Sequence, residues 1–336
     1  MKQAVAVAVL LIFLAIPCFA LEYTLQDLGR GAALGINNLG QITGWRTDPN
    51  DGLDHAFFWS KESGFTNIGS NTGRAINNHG QVAGAGWLWD ATNGLTTLTV
   101  DSDNVCAEDI NDNGQIAGWI HNTGNYDAIV WNSSTDFVNL GVYDNPNSWA
   151  YGINEAGMMV GEFWPSPDEN HGFMWGSSSS FVDFGDFDTK MAVAWGINNH
   201  NQISGTYGED ESRHAFLLDP LTGLTDLGTL GGGHISTGRR ISDSGWVVGS
   251  AAFFNGEDIR HAFLWTKETE MIDIGVLAGK DNEAMDINNS GQIVGSFYDS
   301  QGYVHIALWE PIPEPSSLLA LAAGLATLGF PKRRKN

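Results

Sequence analysis

Ten residues recur along this chain with small changes: "INNLGQITGW" begins at Ile36, "INNHGQVAGA" at Ile76 and "INDNGQIAGW" at Ile110. Four further copies begin at Ile153, Ile197, Ile241 and Ile287, so the successive spacings are 40, 34, 43, 44, 44 and 46 residues. A period near 40–45 residues belongs either to propeller blades or to paired-helix repeats. Each unit runs "A-x-x-I-N-N-x-G-Q-I-x-G", a variable stretch, "H-A-F-x-W", and a short run ending in "D-L-G" or "I-G". Glycine at two fixed points and short alternating runs of β-branched and aromatic residues oppose helix and suit strands.

The "N-N-x-G" core predicts a tight hairpin. A type I turn closed by a G1 bulge needs a residue of positive φ, which glycine adopts without steric cost. Gly40, Gly80, Gly114, Gly157, Gly245 and Gly291 hold that place, and Asn201, the next-best residue for left-handed backbone, holds it in the fifth copy. "DINDNG" (109–114) and "DINNSG" (286–291) resemble the opening of a calcium loop, but the twelfth positions are Ile120 and Phe297 rather than a bidentate Glu. The hairpin explains all seven copies.

Each repeat therefore supplies four strands: A ending in "I-N", B at "Q-I-x-G", C at "H-A-F-x-W" and D at "D-L-G". The seventh copy stops at "HIALWE" (305–310) with no strand D, while "YTLQDLG" (23–29) precedes the first strand A and matches "LTDLG" (224–228). A chain that opens with the last strand of its last repeat covers two sheet edges at once. The expected fold is all-β, a seven-bladed β-propeller with its N-terminal strand closing the last blade. An open β-solenoid is the alternative, and it leaves the displaced strand unexplained.

The two ends differ from this body. "MKQAVAVAVLLIFLAIPCFA" has a lysine, an apolar run and a small-residue end, which predicts a signal peptide over 1–20 cleaved after Ala20. Cys106 is then the single cysteine of the mature chain, so no internal disulfide is expected and the thiol reads as a small buried hydrophobe. The formal charge is −23. Without Lys2, Glu314 and the basic cluster at 332–335, 11 basic residues face 38 acidic ones, about −27 for the body. Such a surface repels nucleic acid, whose binding rests on phosphate neutralisation by Lys and Arg. It favours solubility and attracts cations.

The "HAF" at 55–57, 214–216 and 261–263 resembles the bacterial extracellular repeat of the HAF family, over nearly all of 23–309. That resemblance implies an exported repeat protein without an established enzymatic activity. The segment "PEPSSLLALAAGLATLGFPKRRKN" (313–336) is similar to a PEP-CTERM sorting signal, with Pro313, Glu314 and Pro315, an apolar stretch over 318–330, and Lys332, Arg333, Arg334 and Lys335 at the end. The apolar stretch is short of the ~20 residues of a full helical span, and the basic end stays cytoplasmic. The resemblance implies export through the Sec translocon, recognition and cleavage by an exosortase near 313–315, and a Gram-negative bacterium that makes exopolysaccharide. The expected domains are thus 1–20, 21–310 and 311–336.

No nucleophile–base or metal-ligand motif stands out. His55, His171, His214, His261 and His305 open strand C in five copies, with Asp127 in the third. They read as structural braces to a neighbouring loop rather than a metal ring, because adjacent blades hold them too far apart for shared ligation. Trp59, Trp89, Trp131, Trp175, Trp265 and Trp309 read as core between blades, a series that Asp219 interrupts. The A–B turns are uniform, whereas the B–C loops vary and carry acids: Asp48, Asp51, Asp168, Glu169, Glu209, Asp210, Glu211, Glu257 and Asp258. Uniform turns on one face and variable acidic loops on the other point to a binding face, with calcium or extracellular polysaccharide as ligand and no other cofactor. Two function classes follow: an exported, non-catalytic, surface- or matrix-associated protein, and a secreted propeller enzyme acting on glycans through paired carboxylates.

Overall fold

The computed structural model describes residues 21–100, 104–122, 124–140, 147–176, 180–189, 191–209, 212–253, 259–275 and 281–312. Ala20 and the signal segment, 313–336 with the sorting signal, and Asp210, Glu211, Glu257 and Asp258 lie outside the described residues. The described chain has 27 strands and no helix, and the strands make one compact unit over Tyr23–Pro311.

The first strand, β1 (Tyr23–Ile36), serves two sheets. Its first half pairs antiparallel with Val304–Pro311, from Tyr23 opposite Pro311 to Arg30 opposite His305. Its second half pairs with β2 (Ile42–Thr47), from Gly31 opposite Arg46 to Ile36 opposite Ile42. The sheet continues through β3 (Asp54–Ser60) to β4 (Gly64–Ser70). The next five repeats each form the same A-B-C-D antiparallel ladder, and Asn282–Ile287, Ile293–Tyr298 and Val304–Pro311 complete theirs with the first half of β1. Every strand A carries a bulge just before its isoleucine, at Ala33/Gly35 in the first repeat and Ala284/Asp286 in the last.

The hairpins form as the motif predicts. In each A–B turn the glycine that closes "N-N-x-G", or Asn201, donates its N–H to the carbonyl of the first Asn or Ser three residues back, and its φ lies between 59° and 80°. The paired asparagines then tie each turn to the next. The first Asn accepts N–H bonds within its own turn and sends Nδ2 to the carbonyl of the next turn: Asn37 to Asn77, Asn77 to Asn111, Asn111 to Asn154, Asn154 to Asn198, Asn198 to Ser242 and Asn288 to Asn37, at 2.8–3.1 Å. The second residue completes another circle outside it. The N–H of Asn38 donates to Asn78, Asn78 to Asp112, Asp112 to Glu155, Glu155 to Asn199, Asn199 to Asp243, Asp243 to Asn289, and Asn289 back to Asn38. Residues of the inner circle are 3–4 % exposed, so these bonds satisfy polar groups that water does not reach.

Apolar side chains fill the spaces between successive sheets. Leu98, Ala75 and Ala83 of the second repeat pack on Ile116, Ile129 and Trp131 of the third, and Ala33, Ile42 and Phe57 of the first pack on Val294, Ile306 and Leu308 of the last. Trp131 and Trp309 are fully buried and Trp265 nearly so, while Trp59, Trp89 and Trp175 are half-buried at the same level. Asp219, which interrupts the series, instead accepts a bond from Gln202 Nε2 and caps Leu221 and Thr222.

The histidines brace differently from the sequence reading. Nδ1 of His171, His214, His261 and His305 meets Asp183, Asp226, Asp273 and Asp27, the aspartates of "D-x-G" in strand D of the same ladder, at 2.7–3.1 Å. The partner is therefore the adjacent strand, not a neighbouring loop, because the C–D register sets the two side chains side by side. The same carboxylates accept the N–H of Gly185, Gly228, Gly275 and Gly29. In the first repeat Asn67 replaces that Asp, and His55 turns to Asp51 of its B–C loop at 2.8 Å. In the third the pair is Asp127 with Asn139.

Two predictions follow from these bonds. Deleting residues 21–30 leaves the Val304–Pro311 edge unpaired and is expected to lower unfolding stability by several kcal/mol, read by chemical denaturation of the truncated and intact chains. Gly157→Val places a branched side chain at φ 73°, with its Cβ 3.1 Å from Gln115 Oε1, and is expected to cost about 1–3 kcal/mol, whereas Asn201→Gly loses only the bond to Asn154. Equal melting temperatures for Gly157→Val and wild type would contradict the turn assignment.

Candidate functional site

The residue immediately before each repeated isoleucine sits where successive strands A approach closely around the axis on which the A–B turns are strung. It is small in four repeats (Gly35, Ala75, Gly152, Gly196) and charged in three (Asp109, Arg240, Asp286). The small residues permit close approach: a Cβ on Gly196 would lie 3.2 Å from the Arg240 Cα. The charged three fill the space so left. Arg240 sends Nη1 to the carbonyls of Tyr151 and Trp195 and Nη2 to that of Glu108, equivalent positions in three successive repeats. Asp109 accepts the N–H groups of Ile110 and Ile153, and Asp286 those of Ile287 and Ile36. Burial raises both carboxyls, Asp286 to about 7, against the pull of the Arg240 charge.

This plug divides the axis. On the A–B turn side lies a small polar hollow of about 150 Å³ bounded by the asparagine circles with Asp109, Arg240 and Asp286. On the far side lies a cavity of about 340 Å³, large enough for a small ligand. Its wall is the next column of strand A, two residues before each isoleucine: Leu34, Arg74, Glu108, Tyr151, Trp195, Arg239 and Met285, with Trp119 and Trp149 added. Arg240 lines both spaces and forms the floor between them.

Each charged group of the wall has a partner. Glu108 accepts Arg74 Nη1 at 2.8 Å and Trp119 Nε1 at 3.0 Å. Arg239 gives Nε and Nη2 to Glu283 Oε1 at 3.1 Å and lies over the Trp195 ring, 4.9 Å from its centroid. Tyr151 and Trp195 are tilted rings 4.5 Å apart, and the Tyr151 hydroxyl donates to Glu162 at 2.6 Å. Burial raises the Glu162 carboxyl above its usual range, opposed by the bonds from Tyr151 and Asn170. Trp195 Nε1 is held by Thr206 at 3.2 Å. Cys106 is buried near Glu108, and burial pushes its thiol up to about 12, so it stays a neutral hydrophobe.

The acidic loop residues are dispersed by comparison. Asp48 caps Asn50, and Asp51 caps Leu53 and holds His55, so both serve their own loop. Asp168 and Glu169 border a cleft of about 630 Å³ with Trp164, Asn170, Asp186 and Met191. Glu209 ends the strand Ile203–Glu209 and is exposed. Among the described residues no group of three or more His, Cys, Asp or Glu is arranged to hold a metal ion.

The binding residues expected from the sequence lie in the loops, whereas this cavity lies on the axis. The signal was the pair of columns before the isoleucine. The first column holds a small residue in four repeats and a charged one in three. The second holds six residue types in seven copies, beside a column of alanine or glycine one place upstream.

The sequence matches no protein-family model and no curated protein. Among solved structures, virginiamycin B lyase from Staphylococcus aureus aligns with 85% of this chain and 99% of its own, at 12% identity and TM-score 0.57. A prolyl endopeptidase aligns with 86% of this chain at 10% identity and TM-score 0.59, and the chain spans 51% of that protein. TolB from Acinetobacter baumannii aligns with 81% at 10% identity and TM-score 0.47, the chain spanning 64% of it. The likenesses to the lyase and the endopeptidase show the fold alone: all-β and propeller-like.

The axial plug has a pH signature. A carboxyl whose folded value is raised favours the folded state at low pH, and this contribution is lost as pH rises from the ordinary 3.8 through about 7. Asp286→Asn, which keeps a neutral group in place, is expected to flatten the fall in melting temperature over that window relative to wild type. A wild-type minus variant difference that does not change between pH 4 and 7 would contradict the assignment.

Proposed function

We propose that this chain is an exported, non-catalytic ligand-binding protein of the cell surface or extracellular matrix, built as a seven-bladed propeller closed by its N-terminal strand. The closed form is supported by the two pairings of β1, by the core shared between first and last repeats, and by the side-chain circle that returns from Asn289 to Asn38. The observation that carries the function is the axial cavity, a blind space with aromatic faces in which Glu108 and the nearby Glu162 and Glu283 already accept hydrogen bonds. Such a wall recognises a ligand by stacking and by fixed donors and acceptors. Extracellular polysaccharide is the ligand class in keeping with it and with the resemblance of the chain's two ends to export and sorting signals. In this reading the Sec translocon exports the chain, 318–330 holds it in the membrane, and an exosortase cleaves near Pro313, Glu314 and Pro315.

A second reading, a propeller enzyme acting on glycans, is favoured by one group. Glu162 holds its proton above the usual carboxylate range and touches Tyr151 of the cavity wall. The two readings separate on turnover. The mature protein is expected to be retained on exopolysaccharide from the producing cells and to release no reducing ends, with retention lost in Trp195→Ala and kept in Glu162→Gln. Release of sugar by the wild type and its loss in Glu162→Gln would establish the enzyme instead. Replacing Pro313, Glu314 and Pro315 with alanine is expected to leave an uncleaved, membrane-held precursor on an immunoblot of fractionated cells.

A further inference from the structure

The cleft beside the fourth repeat is joined to the axial cavity by two sets of contacts. It lies where the strands Met159–Ser166 and Glu169–Gly176 meet Met191–Ile197 of the fifth repeat, tied by a parallel bridge between Asn170 and Met191. Trp149 of the cavity wall and Trp164 of the cleft are tilted rings 5.4 Å apart. Glu162 lies between the two spaces, accepting from Tyr151 on the cavity side and from Asn170 Nδ2 on the cleft side. Trp164 is 40% exposed, unusual for so large an apolar surface, and Asn170 Oδ1 is buried with no hydrogen-bond partner. Two aromatic pairs, Trp195 with Tyr151 and Trp149 with Trp164, thus lie in order from the axis to the cleft, Tyr151 and Trp149 two residues apart in one strand.

The charges along this line narrow what fits it. At the axial end Arg74 and Arg239 are paired with Glu108 and Glu283 and Arg240 is held by three carbonyls, so no free charge there calls for a charged ligand, and Asp168, Glu169 and Asp186 at the outer end oppose a polyanion. An apolar chain would cover the carboxylates of the outer end without offering them donors. A ligand spanning the two ends must therefore be uncharged, carry hydroxyls that both donate and accept, and present apolar ring faces to tryptophan. We infer that the axial cavity and this cleft are two ends of one extended site for a neutral, linear oligosaccharide whose end enters the axis. This rests on the cavity being the ligand site proposed above.

The test is calorimetric titration of the mature protein with neutral gluco- and manno-oligosaccharides from monosaccharide to hexasaccharide, with oligogalacturonate as the charged comparison. Kd is expected to fall about tenfold or more from disaccharide to hexasaccharide, the gain of one further stacked sugar face. Trp164→Ala should abolish that gain while leaving disaccharide affinity unchanged, Trp164→Phe should restore part of it, and Trp195→Ala should weaken every length. Trp164 is surface-exposed, and melting temperatures verify that its variants fold. Affinity independent of length, insensitivity to Trp164→Ala, or tighter binding of oligogalacturonate than of neutral sugars overturns the extended site while the cavity remains a sugar site. Absence of binding by every sugar overturns the cavity reading itself.

Discussion

The architecture depends on a side-chain amide donating to the backbone of the next repeat. A strand-turn-strand unit has no intrinsic reason to meet its neighbour at a fixed angle, since apolar packing is non-directional. The paired asparagines supply the direction. One passes its Nδ2 inward to the following turn's carbonyl, and the other receives the N–H of the preceding turn, so six of the seven junctions are fixed by two hydrogen bonds, a buried one of the inner circle and a more exposed one of the outer, while the junction after Ser242, which has no amide, keeps the outer bond alone. The side chain that sets the junction also closes its own turn, since Asn37 Oδ1 accepts the N–H groups of Leu39 and Gln41. Local and long-range order are thereby written with one residue, a consistency that favours a single native arrangement.

With the turns fixed, the positions just upstream become free to differ. Strand A must approach its neighbours closely at the bulge, which small residues satisfy, but three repeats use that place for Asp109, Arg240 and Asp286 instead. The pull of the Arg240 charge on both aspartates, and the backbone bonds of all three, make a polar floor between the two spaces. The wall above it takes six kinds of side chain from seven repeats, and a uniform scaffold so acquires a non-uniform cavity. Repetition supplies the frame and its departures supply the site.

Much of this was written in the sequence in plain form. The hairpin, its positive-φ residue and the displaced strand all follow from local backbone requirements, which a repeated motif displays seven times over. Even the exceptions were legible in part: Asn201 takes the turn position where glycine is absent. What could not be read was why that exception sits where it does. Asn201 Oδ1 accepts Asn154 Nδ2 from the preceding turn, where Met158 has replaced the glutamine that elsewhere serves this purpose. Such a compensation joins residues 47 positions apart and needs the geometry of two repeats at once. The axial cavity was hidden for the same reason, because its lining is gathered from seven repeats, each giving one or a few side chains that differ in kind from those of the next. The histidine braces were misassigned because the sequence shows which residues recur, not which strand lies beside them.

β1 belongs to two sheets, and this gives the molecule a particular way of bearing load. Tyr23 lies opposite Pro311, so the strand unit begins and ends at one place, and the chain enters and leaves through neighbouring strands. A pull on Pro311 along its strand is resisted in shear, by β1 on one side and Ile293–Tyr298 on the other, with several ladder bonds strained together rather than one after another. Since β1 runs on into the ladder with β2, the same force is handed across the junction into the first repeat. A molecule held by its C-terminal side under flow would thus distribute tension over two sheets before any bond at the free edge of either is lost.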